Sequence, residues 1–349
     1  MGADDTDVHL IAVDTTNGTD VWKASLGRKL KNRWGDGPRS TPAVFGDRVV
    51  ALSGRGQLVC ADVNDGSIFW QQDLRDFGGR IPNWGYSESP LIDQGRVIVT
   101  PGNDDGALAA FQLDTGELIW QSWDVMQPAH YSSAIVVEHH GQRQYIQLGS
   151  RSLFGINASD GEKLWEIKWP GKVAVVPTPI YHEGSIYVSS GYGVGSMRID
   201  LSPQNRVTKR YHNKIMKNQH GGVILRDKHV YGYSDGRGWV CQNVDSGEMV
   251  WQEKRVLGKG AIASADGLFY CLEKQTGVCV LANLTPDGWE ERGRLTIEPQ
   301  TEQRSPDGRI WAHPVIANGH LYLRDQEIIC CYDISDSRQT TRALNSNRR

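Results

Sequence analysis

The sequence predicts an all-β fold, a β-propeller of four-stranded antiparallel blades, and three observations support this prediction. A motif with a glycine four residues before a tryptophan recurs along the 349-residue chain. Hairpin-like segments, in which short apolar runs flank a Gly, Asn or Asp turn, lie upstream of its copies. No segment shows a sustained helical period of apolar residues. Repeats of about 40–50 residues with four short strands each are typical of propellers.

The tryptophan motif defines the length of the repeat. Its copies are separated by 48, 50, 45 and 86 residues, the last interval being two units, and they end at Trp22, Trp70, Trp120, Trp165 and Trp251. The turn before each tryptophan has a simple physical interpretation. Asp14 and Asp62 can accept hydrogen bonds from backbone N–H groups of the turn, and the glycine takes a positive φ. We therefore expect each tryptophan to lie on an outer strand and to fill the wedge between neighbouring blades.

Two further copies are degenerate but keep the expected spacing. Tyr211 stands where a tryptophan is expected, and the turn at 285–289 replaces the usual one. We expect the outer strand to persist in both units.

The number of blades depends on how the two ends of the chain are interpreted. Six complete units lie between about Ser40 and Leu295, and a partial unit flanks them on each side. Both partial units contain the same third strand, at 8–13 and 328–334. Two copies of one strand cannot share a blade, which favours eight positions with incomplete first and last blades; a single combined blade would give seven.

The chain opens in the middle of a repeat. Met1–Asp5 is acidic and has no apolar segment of the kind found in signal peptides. We therefore expect that upstream sequence is missing. The propeller is expected to form a single domain at 1–335, followed by a polar tail at 336–349.

Composition excludes several classes of protein. The net charge is −3, whereas a nucleic-acid-binding protein would need a basic face. The sequence contains no apolar run of about 18 residues, the length that a membrane-spanning helix needs. We also expect the protein to be a monomer. The six cysteines show no CxxC spacing, so zinc is not expected, and most fall at inward-facing strand positions, as buried free thiols do.

The motif Ala-x-Asp-x-x-x-Gly-x-x-x-Trp resembles the tryptophan-docking motif of the pyrroloquinoline-quinone-like propeller repeat, over roughly residues 8–335. Families with this repeat include quinoprotein alcohol dehydrogenases, polyvinyl-alcohol dehydrogenases and BamB-type outer-membrane assembly lipoproteins. The segments 84–90 and 311–314 also resemble secreted bacterial quinoprotein-like propellers. This resemblance implies a periplasmic or secreted location. It does not choose between catalysis and binding, because the same scaffold serves both.

In a propeller the innermost strands begin around a central channel, and the residues just before them are unusually polar and aromatic here. We predict that they line a pocket for a polar ligand at the channel mouth. A hydrogen-bonded plug that satisfies buried backbone groups is the alternative. The residues are Arg39, Trp84, Tyr86, Glu88, His130, Tyr131, Gln219, His220, Lys259, Trp311 and His313.

A quinone-dependent dehydrogenase would need a bound quinone, a Ca²⁺ with oxygen ligands and a carboxylate base. Glu88 is the best candidate for the base, and Glu273 is a second acid. No cluster of Asp and Asn residues stands out, so neither a metal nor another cofactor is expected; pyrroloquinoline quinone with Ca²⁺ belongs to the alternative. Cys330–Cys331 resembles the adjacent-cysteine disulfide of quinoprotein alcohol dehydrogenases. Neighbouring residues of a strand face opposite ways, however, which favours ordinary strand packing.

The sequence thus favours a non-catalytic propeller that binds a protein partner or a polar small molecule through its channel mouth and rim loops. A quinone-dependent alcohol or polyol dehydrogenase is the alternative. A third hypothesis is polysaccharide or peptide binding by exposed tryptophans such as Trp34, Trp84 and Trp123. His139 and His140 lie at a hairpin turn and are expected to be solvated.

Overall fold

A computed structural model describes residues 1–335, and it confirms the all-β propeller. Six four-stranded and two three-stranded antiparallel sheets form eight blades, in chain order, as the favoured count predicted. The polar tail predicted at 336–349 lies outside the described residues. No helix among residues 1–335 has the length and apolarity that crossing a bilayer requires.

The first four blades occupy the N-terminal half of the described chain. Blade 1 contains β1 (Gly2–Ala3), β2 (Asp7–Val13) and β3 (Asp20–Arg28). Blade 2 contains β4 (Ala43–Phe45), β5 (Arg48–Leu52), β6 (Gln57–Asp62) and β7 (Ile68–Asp73). Blade 3 contains β8 (Leu91–Asp93), β9 (Arg96–Val99), β11 (Ala109–Gln112) and β12 (Leu118–Gln121). Blade 4 contains β14 (Ile135–His139), β15 (Gln142–Leu148), β16 (Ser152–Asn157) and β17 (Lys163–Lys168).

The last four blades follow the same order from the innermost strand outward. Blade 5 contains β18 (Ile180–His182), β19 (Ser185–Ser190), β20 (Gly195–Leu201) and β21 (Val207–Asn213). Blade 6 contains β22 (Val223–Arg226), β23 (His229–Ser234), β24 (Gly238–Asn243) and β25 (Met249–Glu253). Blade 7 contains β26 (Gly260–Ala265), β27 (Leu268–Glu273), β28 (Val278–Thr285) and β29 (Gly288–Thr296). Blade 8 contains β30 (Val315–Ala317), β31 (His320–Asp325) and β32 (Ile328–Asp333).

Two small elements interrupt the repeat between blades 2 and 4. A 3₁₀ turn, η1 (Leu74–Phe77), follows blade 2, and β10 (Gly102–Asn103) pairs with β13 (Gln127–Pro128). The hydrophobic core lies between blades, where one sheet packs on the next. One buried cluster joins Val50 and Leu52 of blade 2 to Val97 and Phe111 of blade 3. Because the middle strands are covered on both faces, most of their buried residues are apolar.

The repeated tryptophans of blades 1 to 3 join each blade to the next. The Trp22 indole Nε1 donates to Val63 O at 3.0 Å, and its ring lies under Gly66. Trp70 donates to Leu113 O at 2.7 Å, and Trp120 to Ala158 O at 3.3 Å. We call each such turn, with its glycine and the carbonyl three residues earlier, an aromatic seat. The glycine is required because a Cβ would collide with the ring and φ is positive.

Blade 4 departs from this pattern. The Trp165 Nε1 donates to Gln144 Oε1 within the same blade at 2.7 Å, and its ring packs on Gly155. The facing turn of blade 5, at 202–206, contains no glycine. Its Ser202 carbonyl lies 2.9 Å from the Nε2 atom of His139, which is 1 % exposed. The expectation that His139 is solvated is therefore wrong, because the blade packed beside its hairpin covers the ring.

Both degenerate units retain their outer strands, as predicted. Tyr211 pairs with Arg198 at the tryptophan position, and its hydroxyl donates to Val244 O at 2.9 Å in the seat of Gly247. Trp251 donates to Thr285 O at 2.7 Å.

The circle of eight blades closes between blade 8 and blade 1. The Arg324 guanidinium donates to Met1 O at 2.6 Å, and the Ser305 hydroxyl donates to Arg33 O at 3.0 Å. These contacts place the incomplete last blade directly beside the incomplete first one.

The cysteines are free thiols, and four of them are buried in middle strands, at Cys60, Cys241, Cys271 and Cys279. Cys330 and Cys331 pair with successive residues of β31 and so face opposite sides of blade 8. Cys330 is half-buried, whereas Cys331 is exposed because no strand of the described chain pairs with the outer edge of β32.

Candidate binding site at the channel mouth

One end of the propeller carries all the longer loops. In an antiparallel blade, the loop between the second and third strands lies at the same end as the connection to the next blade. The aromatic seats lie at the opposite end. We call the loop-bearing end the mouth, and nine of the eleven predicted site residues lie there, on the connections between blades.

The first part of the mouth is an aromatic cluster. The rings of Trp84 and Tyr131 lie 5.7 Å apart, and those of His130 and Tyr131 lie 5.2 Å apart. Burial lowers the pKa of Arg39 and raises the pKa of Tyr131 to about 12, and the Arg39 charge partly offsets the second shift. Burial lowers the pKa of His130 to about 4, and its Nδ1 accepts a hydrogen bond from Val175 N at 3.2 Å. His130 is therefore neutral at pH 7 and holds the neighbouring connection in place.

The second part is a chain of polar contacts. The Gln219 amide donates to the Tyr192 hydroxyl at 2.7 Å. Lys259 donates to the Gln219 amide oxygen and to the Asp235 carboxylate, the latter at 2.6 Å. This ion pair fixes Lys259 at the mouth because both partners come from different blades.

The third part surrounds His220. Its ring meets Trp311 edge to face at 4.7 Å, and the His313 Nε2 atom lies 2.9 Å from the His220 carbonyl. The ammonium of Lys274 lies 5.3 Å from the centre of the Trp311 ring. Although His313 is exposed to the channel, the surrounding protein desolvates it and lowers its pKa.

Several polar atoms of this third part have no protein partner. Both ring nitrogens of His220 and the indole Nε1 of Trp311 are inaccessible and accept or donate no hydrogen bond within residues 1–335. Burial, followed by the charges of Lys259 and Lys274, holds the pKa of His220 well below its usual range. A neutral imidazole offers one donor and one acceptor, so these covered groups keep hydrogen-bonding capacity that the described protein does not use.

Positive charge dominates the mouth. Burial lowers the pKa of Arg39, and burial together with Lys259 and Arg309 lowers the pKa of Lys274. Neither Arg39 nor Lys274 forms an ion pair within residues 1–335, since Arg39 donates to the Gly35 carbonyl and Lys274 lies over the Trp311 ring. An incoming carboxylate or phosphate would relieve this imbalance.

A second concave surface lies on the rim between blades 3 and 4. This cavity of ≈ 280 Å³ is lined by Arg80 and Arg151 together with Asn103 and Asp104. Both arginines are exposed, and neither forms an ion pair with a described residue. The rim therefore extends the cationic character of the mouth outward.

Two predicted site residues lie elsewhere. Tyr86 is fully buried in the core between blades 2 and 3, where its hydroxyl donates to Pro101 O at 3.0 Å. Glu88 is 2 % exposed and accepts hydrogen bonds from the Thr100 backbone N–H and, at 2.7 Å, from its hydroxyl. The Gln147 amide donates to it at 3.3 Å, and burial raises its pKa to about 7. These two side chains stabilise the packing of blades rather than facing the channel.

The sequence did not single out Tyr192, Asp235 or Lys274 as site residues. All three lie on loops between the second and third strands, at the same end as the blade connections. Tyr192 adopts φ 56° between two glycines, a conformation rarely taken by a large side chain. The Gly-Tyr-Gly sequence at 191–193 is the sequence feature that could have identified Tyr192 as a site residue.

The two acids considered for a quinone-dependent dehydrogenase, Glu88 and Glu273, are both buried and both accept hydrogen bonds from protein donors. Glu88 already receives donors from Thr100 and Gln147 and cannot face the channel. Glu273 is also buried and accepts from the backbone N–H and hydroxyl of Thr276, both at 2.5 Å. Within the described part of the chain, no three His, Cys, Asp or Glu side chains are grouped as metal ligands.

The fold and the mouth define a quinoprotein-like propeller with a polar, cationic channel entrance. A family model described as outer membrane protein assembly factor BamB matches residues 6–253, and the chain belongs to this family.

Three known proteins illustrate the relationship. The outer membrane protein assembly factor BamB of Moranella endobia is 24% identical over 230 residues, which cover 62% of this chain and 55% of that protein. The quinohemoprotein alcohol dehydrogenase ADH IIB of Pseudomonas putida is 30% identical over 124 residues, covering 34% and 18%. The chain thus spans about half or less of these curated relatives. The crystal structure of BamB from Moraxella catarrhalis shares the fold, with a TM-score of 0.64, 14% identity and coverage of 95% and 92%.

Proposed function

We propose that this protein is a non-catalytic propeller that binds a protein partner through its channel mouth and rim loops. The observation that carries the proposal is the cluster of incompletely paired cations and unpartnered polar atoms around Lys259, Lys274 and His220. Such groups cost stability when they are left unsatisfied, so they are retained where a ligand completes them.

The relatives suggest the biological setting. Because the matching family is described as an outer membrane protein assembly factor, we propose that this chain is likewise a scaffold for assembly of outer-membrane proteins. The proposed role includes a periplasmic location and contact with other proteins.

The charge at the mouth indicates the partner's chemistry. Arg39, Lys259 and Lys274 favour an acidic segment, and the rings of Trp84 and Tyr131 add flat apolar surface. Electrostatic complementarity of this kind chiefly raises the association rate and selects the partner.

A crosslinking experiment tests the location of the surface. A photoreactive amino acid replaces Tyr192 at the mouth or Phe45 at the opposite end, where both side chains are exposed. We expect a crosslinked partner in native cells from position 192 and none from position 45. Equal crosslinking from both positions, or crosslinking from position 45 alone, would overturn the proposal.

A titration tests the chemistry. Fluorescein-labelled hexaglutamate is titrated against the protein, with binding followed by fluorescence anisotropy at low and high salt. The double variant Lys259→Ala/Lys274→Ala should weaken binding at least tenfold, because it removes two charges at the mouth. The matched control Lys168→Ala/Lys209→Ala changes two exposed lysines on outer strands and should bind normally. Equal loss in both double variants would show non-specific attraction.

The similarity to the quinohemoprotein dehydrogenase favours the alternative of a quinone-dependent dehydrogenase. Pyrroloquinoline quinone titrated with Ca²⁺ should leave the tryptophan fluorescence of this protein unchanged. Saturable quenching together with reduction of a dye acceptor by an alcohol would replace the scaffold proposal.

A further inference from the structure

The cavity on the rim between blades 3 and 4 is built from two strands that lie outside the propeller repeat. Eight sheets, one per blade, contain every other strand of residues 1–335, whereas β10 and β13 pair only with each other. Both strands line the cavity, β10 through Gly102 and Asn103 and β13 through Pro128. The propeller repeat does not require this two-stranded ribbon, which indicates a local role.

Amide side chains of the ribbon hold the two arginines of the cavity. Gln127 of β13 is 3 % exposed, and its Oε1 accepts a hydrogen bond from Arg151 N at 3.1 Å. On β10, the Asn103 amide donates to Gly78 O at 2.7 Å, two residues before Arg80. The ribbon therefore fixes the backbone of Arg151 directly and that of Arg80 through the preceding turn.

The charges of the cavity favour a ligand with one negative charge. Both guanidinium groups are exposed, and neither forms an ion pair or a hydrogen bond within residues 1–335. Asp104 also lines the cavity, so two positive charges and one negative charge leave a single positive charge. A carboxylate neutralises this charge and matches the planar fork of an arginine. A phosphate dianion would leave excess negative charge beside Asp104.

We propose that this cavity binds a carboxylate whose adjacent carbon carries an amide N–H. Arg80 and Arg151 bind the carboxylate, Asp104 accepts the hydrogen bond of the amide N–H, and Pro128 and Ala129 give an apolar wall for a small side chain. This group occurs at the end of a polypeptide chain and in small N-acylated amino acids. The proposal rests on the proposed function, because it assigns one chemical group of the ligand to the rim loops.

The size of the cavity limits the ligand to about one residue. Its volume of ≈ 280 Å³ lies below the range of about 300–1,000 Å³ typical of sites for larger ligands. A Cβ at Gly102 would lie 2.1 Å from Ala129 N, so the backbones on the two sides of the ribbon touch and no chain passes between them. An Asp or Glu side chain fits less well, because the carbon next to its carboxylate carries no amide N–H.

The first experiment tests the carboxylate. A fluorescein-labelled Gly-Ser-Gly-Ala peptide with a free carboxyl end is titrated with the full chain, with binding followed by fluorescence anisotropy. The same peptide with an amidated end should bind at least tenfold more weakly. Arg80→Ala/Arg151→Ala should remove the difference between the two peptides. The matched control Arg28→Ala/Arg206→Ala changes two exposed arginines of blades 1 and 5 and should retain it. Equal affinity of acid and amide, or equal loss in both double variants, would overturn the proposal.

The second experiment tests the amide N–H. A peptide ending in N-methylalanine lacks this donor and should bind at least threefold more weakly than the parent peptide. Asp104→Ala should remove that difference, because the acceptor is then missing from the protein. A peptide that ends in an amidated glutamate carries only a side-chain carboxylate. If it binds as tightly as the parent peptide, or if inorganic phosphate displaces the parent peptide at lower concentration than acetate does, the proposal is wrong.

Competition identifies the source of the group and separates this proposal from the proposed function. N-acetylalanine that competes as well as unlabelled peptide would assign the cavity to small N-acylated acids. Competition at least tenfold weaker would assign it to a chain end, and both results retain the proposal. Lys259→Ala/Lys274→Ala should leave binding of the parent peptide unchanged. Failure of hexaglutamate alone to bind would refute the proposed function, whereas failure of the parent peptide alone would refute the assignment of the cavity.

Discussion

The seats and the mouth, at opposite ends of the same blades, follow different rules. At the seats, the indole N–H groups of Trp22, Trp70 and Trp120 each donate to a carbonyl of the next blade. At the mouth, the indole of Trp311 and the ring of His220 have no described partner. The repeated ring contacts at the seats stabilise the joins between blades, whereas the uncompleted groups at the mouth are those on which the proposed binding role rests.

The largest expected effect is at a filled seat. In Gly116→Ala, the new Cβ would lie 2.6 Å from the Trp70 ring. We expect a loss of about 3 kcal/mol in the free energy of unfolding, from left-handed backbone strain and displacement of a buried indole. Gly18→Ala has the same backbone strain without the collision and should lose about 1 kcal/mol. Urea denaturation of both variants measures the difference, and equal losses would show that seated rings do not hold the blades together.

The next prediction concerns Glu88, which belongs to the packing between blades rather than to the mouth. Its pKa rises from 4.5 to about 7 on folding because it is buried. Between these values the folded state holds more protons, so the free energy of unfolding falls as pH rises from about 4.5 to about 7. The fall should reach at most about 3 kcal/mol, and Glu88→Gln should remove it. Denaturation curves across this pH range test the prediction. The exposed control Glu162→Gln should retain the wild-type profile; a profile for Glu88→Gln parallel to wild type would contradict it.

The sequence predicted the seats better than the mouth, for a physical reason. The seats could be predicted because the turn glycine and the tryptophan four residues after it recur with a fixed spacing, and the tryptophans of blades 1 to 3 each fill the seat of the next blade. The mouth joins residues from separate repeats, such as Gln219, Lys259 and Asp235, whose contacts depend on the assembled ring. Glu88 and Tyr86 illustrate the limit. The sequence placed them correctly on a blade connection, but alternate residues of a connection face opposite ways, and theirs turn into the core.

His139 shows that two neighbouring blades can be joined without a seated aromatic ring. His139→Phe removes contacts of 2.9 Å with both the Tyr181 hydroxyl and the Ser202 carbonyl. We expect a loss of about 2 kcal/mol in the free energy of unfolding, because buried partners lose their hydrogen bonds. His182→Phe, at an exposed site on the next blade, should change stability by less than about 0.5 kcal/mol. Thermal or urea denaturation compares the two, and a near-neutral His139→Phe would mean that blades 4 and 5 are held by apolar packing alone.

The smallest expected effect on stability is at His220, where the contrast between the two ends is most direct. The ring nitrogens of His139 and of His220 are both covered by protein. Those of His220 make no hydrogen bond within residues 1–335, so His220→Leu removes no hydrogen bond. Stability should stay the same or rise by up to about 1 kcal/mol, since an apolar side chain incurs no cost for unmet polar groups. Binding of hexaglutamate should weaken in the same variant if ligand binding turns the covered imidazole towards the mouth, where it could donate to a carboxylate. A variant that loses stability as His139→Phe does would show that His220 serves the fold, whereas unchanged stability with weaker binding would assign this group to the ligand.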